Sequence, residues 1–293
     1  MALYGGVEAG GTKFVCAVGD GQGSLSHFIR FATTTPEETL ERVVRFFQTL
    51  PQAPLAIGVG TFGPADLHPG SPTYGFITTT PKPGWAMTDI AGTLRRRLGL
   101  PVGLALDVGA ALLGEAAFGA AATTRQPLYL TVGTGIGGAL LVDGDLLGGL
   151  VHPEMGHIPI PRVAGDAFAG VCPYHGDCFE GLASGPAITA RAGQPADTLD
   201  PDHPVWNDVV HALGAGIASL ALSLSPDRIV VGGGVMDQAH LWPRVRAEVQ
   251  RRLGGYVASA ALADGLAHYL VPPALGSRSG VLGAMLLARH AVA

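Results

Sequence analysis

The chain has 293 residues, of which 44 are Gly and 22 are Pro, while 47% of its residues are hydrophobic. This composition predicts a globular protein of about two domains with a buried core, and it excludes collagen-like and disordered chains. The net charge is −5 and only 14% of residues are charged. The sequence therefore disfavours nucleic-acid and anionic-membrane binding, which need a basic surface.

The N-terminal segment lacks the charged and apolar regions of a secretory signal, and no stretch reaches about 18 consecutive apolar residues. The most apolar stretch, 212–224, is rich in Gly, Ala and Ser and precedes Pro226, which favours a packed helix. Three cysteines are an odd and sparse set, which argues against a disulfide framework. We therefore expect a soluble, cytoplasmic protein without membrane segments.

An internal similarity relates the two halves of the chain. The strand-like run that begins at Leu3 enters a Gly-rich turn and a second apolar run, and the same order recurs from Leu128. The sequence therefore predicts a β-hairpin at the start of each of two lobes. We expect an N-terminal α/β lobe over 1–120 and a C-terminal α/β lobe over 121–293, and the last helix could return to the first lobe.

Helices and strands alternate after each hairpin. The segment 35–38 has the pattern of a capping box with Pro at the first helical position, and apolar residues follow it at helical spacing. Further helices are predicted over 89–98, 110–118, 206–224, 241–253 and 280–289. Short buried strands are predicted over 55–59, 102–106 and 228–231. This alternation predicts an α/β fold.

Three glycine turns have the composition of phosphate-binding turns, because backbone N–H groups approach a phosphate closely where no Cβ intervenes. Neither hairpin turn precedes a helix, so P-loop and dinucleotide-binding folds are not favoured. An ordinary Gly hairpin is the competing interpretation of each turn alone, but their recurrence at equivalent places favours phosphate. The candidate residues are Gly10, Gly11, Thr12 and Lys13, then Thr134 and Gly135, then Gly232, Gly233, Gly234, Val235 and Met236.

Two cysteines and two histidines lie at metal-ligand spacing, in a C-x2-H-x2-C pattern with one upstream His. Such a set suits tetrahedral Zn²⁺, and four protein ligands would make the zinc structural rather than catalytic. His152 is an alternative ligand, and two free thiols in a loop are the competing interpretation. Cys16 is expected in the core. The predicted zinc loop covers about 152–180, with the ligands His157, Cys172, His175 and Cys178.

Three carboxylates could act in the same region. Asp107 follows a predicted buried strand and precedes a helix, where it could serve as a general base or simply as the helix N-cap. Glu154 and Glu180 flank the Cys/His cluster. Both could accept hydrogen bonds from sugar hydroxyls, although either could be a solvated surface acid.

Taken together, these motifs resemble the ROK family of sugar kinases. Two further segments, 60–64 and 77–85, resemble the bacterial fructokinase branch of that family. The match runs in order over most of the chain, from about Leu3 to Gly283. The segments that carry the family resemblance are 8–13, 154–157, the Cys/His cluster, 180–185 and 231–234.

The resemblance implies a two-lobed, actin-like and ribonuclease-H-like fold with the nucleotide in the interlobe cleft and Mg·ATP as the phosphoryl donor. Asp107 would then be the catalytic base, and it would deprotonate the primary hydroxyl of the sugar. The two Gly hairpins would cradle the β- and γ-phosphates, while 232–236 would face the adenosine and Pro186 would lie beside the nucleotide.

The resemblance also implies sugar binding by Glu154, His157 and Glu180, so His157 would use one ring nitrogen for zinc and the other for sugar. D-fructose is the implied acceptor and fructose 6-phosphate the product. Many relatives carry Asn at the positions of Leu106 and Gly109, so glucokinase, mannokinase and N-acetylhexosamine kinase remain alternatives. A non-catalytic sugar-binding relative and a repressor are disfavoured, and the family implies a homodimer.

Overall fold

The computed structural model describes residues 2–293, and the chain divides into two compact units. Unit 1 is formed by the described part of Met1–Thr123 together with Gly148–His152 and Ala274–Ala293. Unit 2 is formed by Thr124–Leu147 and Pro153–Pro273. The C-terminal segment therefore returns to the unit in which the chain begins.

Unit 1 contains a five-stranded sheet in the order β3-β2-β1-β4-β7 and a short two-stranded ribbon, β5-β6. The pairs β3/β2 and β2/β1 are antiparallel, whereas β1/β4 and β4/β7 are parallel. The C-terminal ends of β1, β4 and β7 consequently meet at one sheet edge. These strands are β1 Tyr4–Ala9, β2 Lys13–Gly19, β3 Leu25–Ala32, β4 Ile57–Thr61, β5 Phe76–Ile77, β6 Thr88–Asp89 and β7 Val102–Leu106.

Unit 2 repeats the same pattern of pairing in the order β10-β9-β8-β11-β12. Its β10/β9 and β9/β8 pairs are antiparallel, and its β8/β11 and β11/β12 pairs are parallel. The predicted hairpin at the start of each half and the predicted α/β fold are therefore confirmed. The strands are β8 Pro127–Val132, β9 Ile136–Val142, β10 Asp145–Leu146, β11 Arg228–Gly232 and β12 Leu270–Val271.

Eight α-helices cover these sheets in the described chain. The predicted cap at the start of α1 is present, because the Thr35 side chain accepts a hydrogen bond from Glu38 N at 3.3 Å. The helices are α1 Pro36–Gln48, α2 Ile90–Leu98, α3 Asp107–Phe118, α4 Phe179–Ala183, α5 Gly185–Ala192, α6 Val205–Leu224, α7 Leu241–Leu253 and α8 Ser279–His290.

Close packing in unit 1 explains part of the high Gly content. Helix α8 lies directly on β1, β4 and β7 and against α3. A methyl group at Gly58 would overlap the carbonyl oxygen of Ala284, and one at Gly283 would overlap that of Ala110. Glycine therefore lets the C-terminal helix lie against the sheet and against the helix that carries Asp107.

One helix of the described chain, α6, is long and apolar enough to cross a membrane by length and composition. However, 72% of its apolar window is buried inside unit 2, where Trp206 and Leu213 are fully buried. Helix α6 is therefore a core helix of that unit. Cys16 is also fully buried, as expected, and burial raises the pKa of its thiol.

Several elements differ from the sequence predictions. The strand predicted over 55–59 lies at Ile57–Thr61, because its register against β1 pairs Gly5 with Ile57 and Ala9 with Thr61. Strand β3 was not predicted, because most of its residues are exposed and its apolar and polar residues do not alternate clearly. The short helices α4 and α5 were not predicted either. Helix α5 has a recognisable signal, since Ser184 caps it and Pro follows in the first turn.

Candidate active site

The first glycine turn connects β1 to β2 at the C-terminal edge of the unit 1 sheet. Gly10 N donates to Lys13 O at 3.0 Å, which closes the turn. Thr33 holds it from the side, because its backbone N donates to Thr12 O at 3.0 Å and its Oγ1 donates to Gly10 O at 2.7 Å. The turn is therefore rigidly held while Thr12 remains exposed.

The only two lysines of the chain are Lys13 and Lys82. Lys13 forms the last residue of the turn, and the Lys82 ammonium lies 3.5 Å from the carbonyl oxygen of Thr33. Neither has a carboxylate within salt-bridge distance among the ion pairs of residues 2–293. Positive charge that is not held in a salt bridge therefore accompanies this turn.

Glu8 lies at the end of β1, immediately before the turn. Its Oε2 is buried and has no hydrogen-bond partner among the described residues. A Cβ at Gly280 would lie 2.7 Å from Oε2, so the carboxyl group is seated against the first turn of α8. Burial raises the pKa of Glu8, and the opposing effect of Lys13 is smaller. A buried carboxyl oxygen without a partner can bind a cation or a hydrated cation, and the cation would offset the cost of burying the negative charge.

Asp107 lies at the same sheet edge, where β7 ends and α3 begins. The structure places the N-cap at Leu106, which makes no side-chain capping bond, and makes Asp107 the first helical residue. Its Oδ1 accepts a hydrogen bond from Val108 N at 2.8 Å, and the residue is half-buried. The N-cap interpretation is therefore wrong, and the carboxylate lies at the carboxyl end of a parallel strand, where ligands of such sheets bind.

In unit 2, the second and third glycine turns are neighbours. Val235 N donates to Val132 O at 3.0 Å, so the turn after β11 packs against the end of β8. Gly233 has a φ of 93°, and a side chain there would overlap the Val132 backbone. Val235 and Met236 are buried in the core of unit 2, whereas Gly234 is exposed. The backbone of this turn, rather than its two apolar side chains, is accessible to a ligand.

Pro186 belongs to the same surface of unit 2. Gly185 N, at the start of α5, donates to Gly133 O in the second turn at 2.7 Å. Pro186 follows Gly185 and is exposed, as is Thr134 at the tip of the turn. The structure thus brings together the residues of unit 2 that the sequence analysis assigned to the nucleotide.

Glu180 lies on α4 beside the second turn. Its Oε2 accepts a hydrogen bond from Ile136 N at 2.9 Å, and a Cβ at Gly135 would lie 2.7 Å from the same oxygen. The predicted sugar ligand therefore already contacts the predicted phosphate turn. Sequence reasoning missed this contact because the two residues are 44 positions apart. Glu154 is exposed and precedes the short 3-10 helix that carries His157.

The four predicted zinc ligands converge in unit 2. Their ligand atoms all lie within 4.8 Å of one another, and the group does not include His152. Nδ1 of His157 lies 3.6 Å from both sulfur atoms, and Nδ1 of His175 lies 3.6 Å from Sγ of Cys172. Tetrahedral Zn²⁺ with Zn–S of about 2.3 Å and Zn–N of about 2.0–2.1 Å places S and N about 3.5–3.6 Å apart. The donor set fits zinc in both chemistry and spacing.

Electrostatic interactions brace the loop around this cluster. Arg162 bonds Asp177, beside Cys178, at 2.6 Å and also donates to carbonyl oxygens within 166–168. The hydrogen bond from Arg191 lowers the pKa of Asp166 to about 2. Burial raises the pKa of the Cys178 thiol to about 11. The loop is consequently held in place by ion pairs.

Comparisons with known proteins define the class. The ROK family profile matches residues 4–291. Fructokinase from Pediococcus pentosaceus is 41% identical over 290 residues, covering 99% of both chains, and fructokinase from Zymomonas mobilis subsp. mobilis is 41% identical over 98% of this chain and 96% of its own. The structure of a ROK family glucokinase from Streptomyces griseus in complex with glucose and AMPPNP is 27% identical, with a TM-score of 0.76 over 99% and 100% of the chains.

The chain belongs to the ROK family. The predicted family and the actin-like fold class are therefore confirmed.

Proposed function

We propose that this chain is an ATP-dependent fructokinase that transfers the γ-phosphoryl group of ATP to the 6-hydroxyl of D-fructose. The observation that carries the proposal is the occurrence of Asp107 and the 10–13 turn at one sheet edge of unit 1. Phosphoryl transfer requires a proton acceptor for the attacking hydroxyl and fixed groups that bind the phosphates. The fructokinases of Pediococcus and Zymomonas, which match nearly the whole chain, support fructose as the acceptor.

In this mechanism, Asp107 accepts the proton of the sugar hydroxyl as the hydroxyl oxygen attacks the γ-phosphorus, and the bond from that phosphorus to the β,γ-bridging oxygen breaks to release ADP. The hydrogen bond from Val108 N to Oδ1 orients the carboxylate for this transfer. The N–H group of Gly11 and the ammonium of Lys13 bind the phosphate oxygens, on which negative charge accumulates, while the N–H of Gly10 closes the turn onto Lys13 O. The turn of Thr134 and Gly135 supplies further backbone donors.

The site also fits Mg²⁺, because the buried Oε2 of Glu8 lacks a hydrogen-bond partner among the described residues. Bound Mg²⁺ neutralises charge on the phosphates of ATP. Glu8, which lies immediately before the 10–13 turn, would hold the hydrated cation through this carboxylate.

For the sugar, we assign Glu154, His157 and Glu180, and for structural zinc we assign His157, Cys172, His175 and Cys178. Nδ1 of His157 faces the two sulfur atoms, which leaves Nε2 for a sugar hydroxyl. Bound zinc supplies only structural support in this arrangement, because four protein ligands close its coordination. Gly233 and Gly234 face the adenosine, and Pro186 lies beside it.

The proposal extends to a cytoplasmic homodimer that binds hexose and ATP and neither nucleic acid nor membrane. The net charge of −5 and the burial of the apolar helix α6 support these exclusions. We further propose that the lobes divide near residues 120 and 121 and that the last helix returns to the N-terminal lobe, which the unit boundary after Thr123 and the place of Ala274–Ala293 in unit 1 support. Light scattering coupled to size-exclusion chromatography tests the dimer, and a single species of monomer mass would contradict it.

An ADP-release assay over a panel of hexoses tests the substrate. We expect kcat/KM for fructose to exceed that for glucose by about tenfold or more, with mannose between them. Leu106 and Gly109 lack the amide groups that could satisfy glucopyranose hydroxyls, and one unpaired buried hydroxyl costs about 1–3 kcal/mol. Equal or better efficiency with glucose, mannose or an N-acetylhexosamine would reassign the acceptor and retain the kinase.

A further inference from the structure

The β8–β9 turn in unit 2 is held in shape by groups outside the hairpin. Within the turn, Gly133 N donates to Gly135 O at 2.9 Å. From outside, Gly185 N donates to Gly133 O at 2.7 Å, and Oε2 of Glu180 accepts from Ile136 N at 2.9 Å. The Glu180 carboxylate therefore fixes the direction of the Ile136 N–H group, which borders the proposed phosphate site.

The fit between Glu180 and the turn is sterically tight. A Cβ at Gly135 would lie 2.7 Å from Oε2 and 3.5 Å from the carboxyl carbon, so a larger residue there would displace the carboxylate from its present position. The backbone of α4 is itself fixed in position, because Phe179, next to Glu180, is fully buried and its N–H donates to Ile158 O at 3.0 Å. Glu180 thus links the core of unit 2 to the turn.

Only one of the two carboxylate oxygens is used in this link. No described residue donates a hydrogen bond to Oε1, and the side chain is only partly buried. A carboxylate can accept several hydrogen bonds at once, so Oε1 can accept one from a sugar hydroxyl while Oε2 holds Ile136 N. The Glu180 side chain can therefore contact a sugar hydroxyl through one oxygen and the backbone of the proposed phosphate turn through the other.

We propose that Glu180 is a positioning residue that couples hexose binding to the geometry of the phosphate turn. This inference rests on the proposed function, because it takes the Thr134–Gly135 turn as part of the ATP site. A sugar hydroxyl on Oε1 restrains the carboxylate, and the restrained carboxylate keeps the turn in its phosphate-binding form. Binding energies that are linked in this way are reciprocal, so ATP also strengthens hexose binding.

Titration calorimetry on the zinc-loaded protein measures this coupling with the non-hydrolysable analogue AMPPNP, in the presence of Mg²⁺, with and without fructose. For the unsubstituted protein, we expect fructose to tighten AMPPNP binding by about fivefold. Glu180→Ala removes the acceptor for Ile136 N, so AMPPNP alone should bind about five- to tenfold more weakly, and fructose should no longer tighten it.

Glu180→Gln provides the conservative variant, because its amide oxygen can still accept from Ile136 N. It should recover most of the AMPPNP affinity in the absence of fructose. Glu154→Gln is the matched control, and it should weaken fructose binding without changing the affinity for AMPPNP alone. Gly135→Ala retains Glu180 but displaces its carboxylate, so it should weaken AMPPNP as Glu180→Ala does, and it serves as the test if Glu180→Ala does not fold.

The proposal is overturned if Glu180→Ala and Gly135→Ala bind AMPPNP alone as tightly as the unsubstituted protein does. In that case Glu180 acts only on the sugar. A failure of the proposed function has a different signature, since the unsubstituted protein would then release no ADP with any hexose. Loss of AMPPNP affinity in the two variants would support the role of Glu180 in the turn even then, while another acceptor was sought.

Discussion

The two hairpin turns occupy equivalent places in sheets of the same topology, yet they differ in construction. In unit 1, four residues separate the paired Ala9 and Phe14, and the turn ends in Lys13. In unit 2, three residues separate the paired Val132 and Ile136, and the turn contains no cation. Each turn has one exposed Thr, Thr12 or Thr134.

The supports of the two turns differ as well. A neutral residue, Thr33, holds the first turn through two carbonyl oxygens, because its Oγ1 donates to Gly10 O and its backbone N–H donates to Thr12 O. A carboxylate, Glu180, holds the second through a backbone N–H. The same strand topology therefore supplies charge in one unit and oriented N–H groups in the other.

The largest effect is expected from removing the proton acceptor while leaving both turns intact. Asp107→Asn should lower kcat by about 10²- to 10⁴-fold, because a positioned general base contributes about that much. AMPPNP affinity, measured by calorimetry, should remain close to that of the unsubstituted protein. A near-normal kcat in this variant would show that Asp107 is not the general base.

Loss of a zinc ligand should affect the second turn and not the first. Only the second turn depends on α4, which begins directly after Cys178. Cys172→Ser or Cys178→Ser should reduce zinc to less than about half an equivalent and lower Tm by about 5–10 °C, as expected for about 2–3 kcal/mol of lost stability. Elemental analysis and calorimetry provide the measurements. Cys16→Ala, in the core of unit 1, is the control and should retain full zinc; equal zinc loss there would contradict the assigned ligands.

Removing the cation of the first turn should weaken nucleotide binding because an electrostatic attraction is lost, while the conformation of the turn is retained. Lys13→Met should raise the Kd for AMPPNP by about tenfold or more, since a hydrogen bond to a charged group contributes about 1.5–3 kcal/mol. The dependence of Kd on salt should also become shallower. Lys13→Arg keeps the charge and should recover most of the affinity. An unchanged Kd in Lys13→Met would mean that the first turn does not bind phosphate through this ammonium.

The smallest effect is expected from the neutral support of the first turn. Thr33→Val removes the Oγ1 bond to Gly10 O with little change of shape, so the Kd for AMPPNP should rise by about two- to fivefold, equivalent to about 0.5–1 kcal/mol. Thr33→Ser keeps the hydroxyl and is the matched control. If Thr33→Val weakened binding as much as Glu180→Ala, the contrast between the two supports would disappear.

Much of the architecture could be predicted from local pattern. The helix over 241–253 and the strand over 102–106 match the structure, because each has an uninterrupted apolar pattern and a clear boundary residue. The strand over 55–59 was displaced by two residues, because its position depends on pairing with β1 rather than on its own composition. Strand β3 lies at a sheet edge with most side chains exposed, so it lacks the alternation that marks a half-buried strand.

The sequence by itself determined the two hairpins, the Cys/His ligand types and the position of Asp107 after a buried strand. These features depend on residue chemistry and on short spacings that local physics can interpret. Only the tertiary structure decided that Thr33 supports the first turn, that Glu180 and Gly185 support the second, and that Leu106 rather than Asp107 is the N-cap. The two supports join residues far apart in the chain, and such contacts leave no periodicity in the sequence because they depend on how whole elements pack.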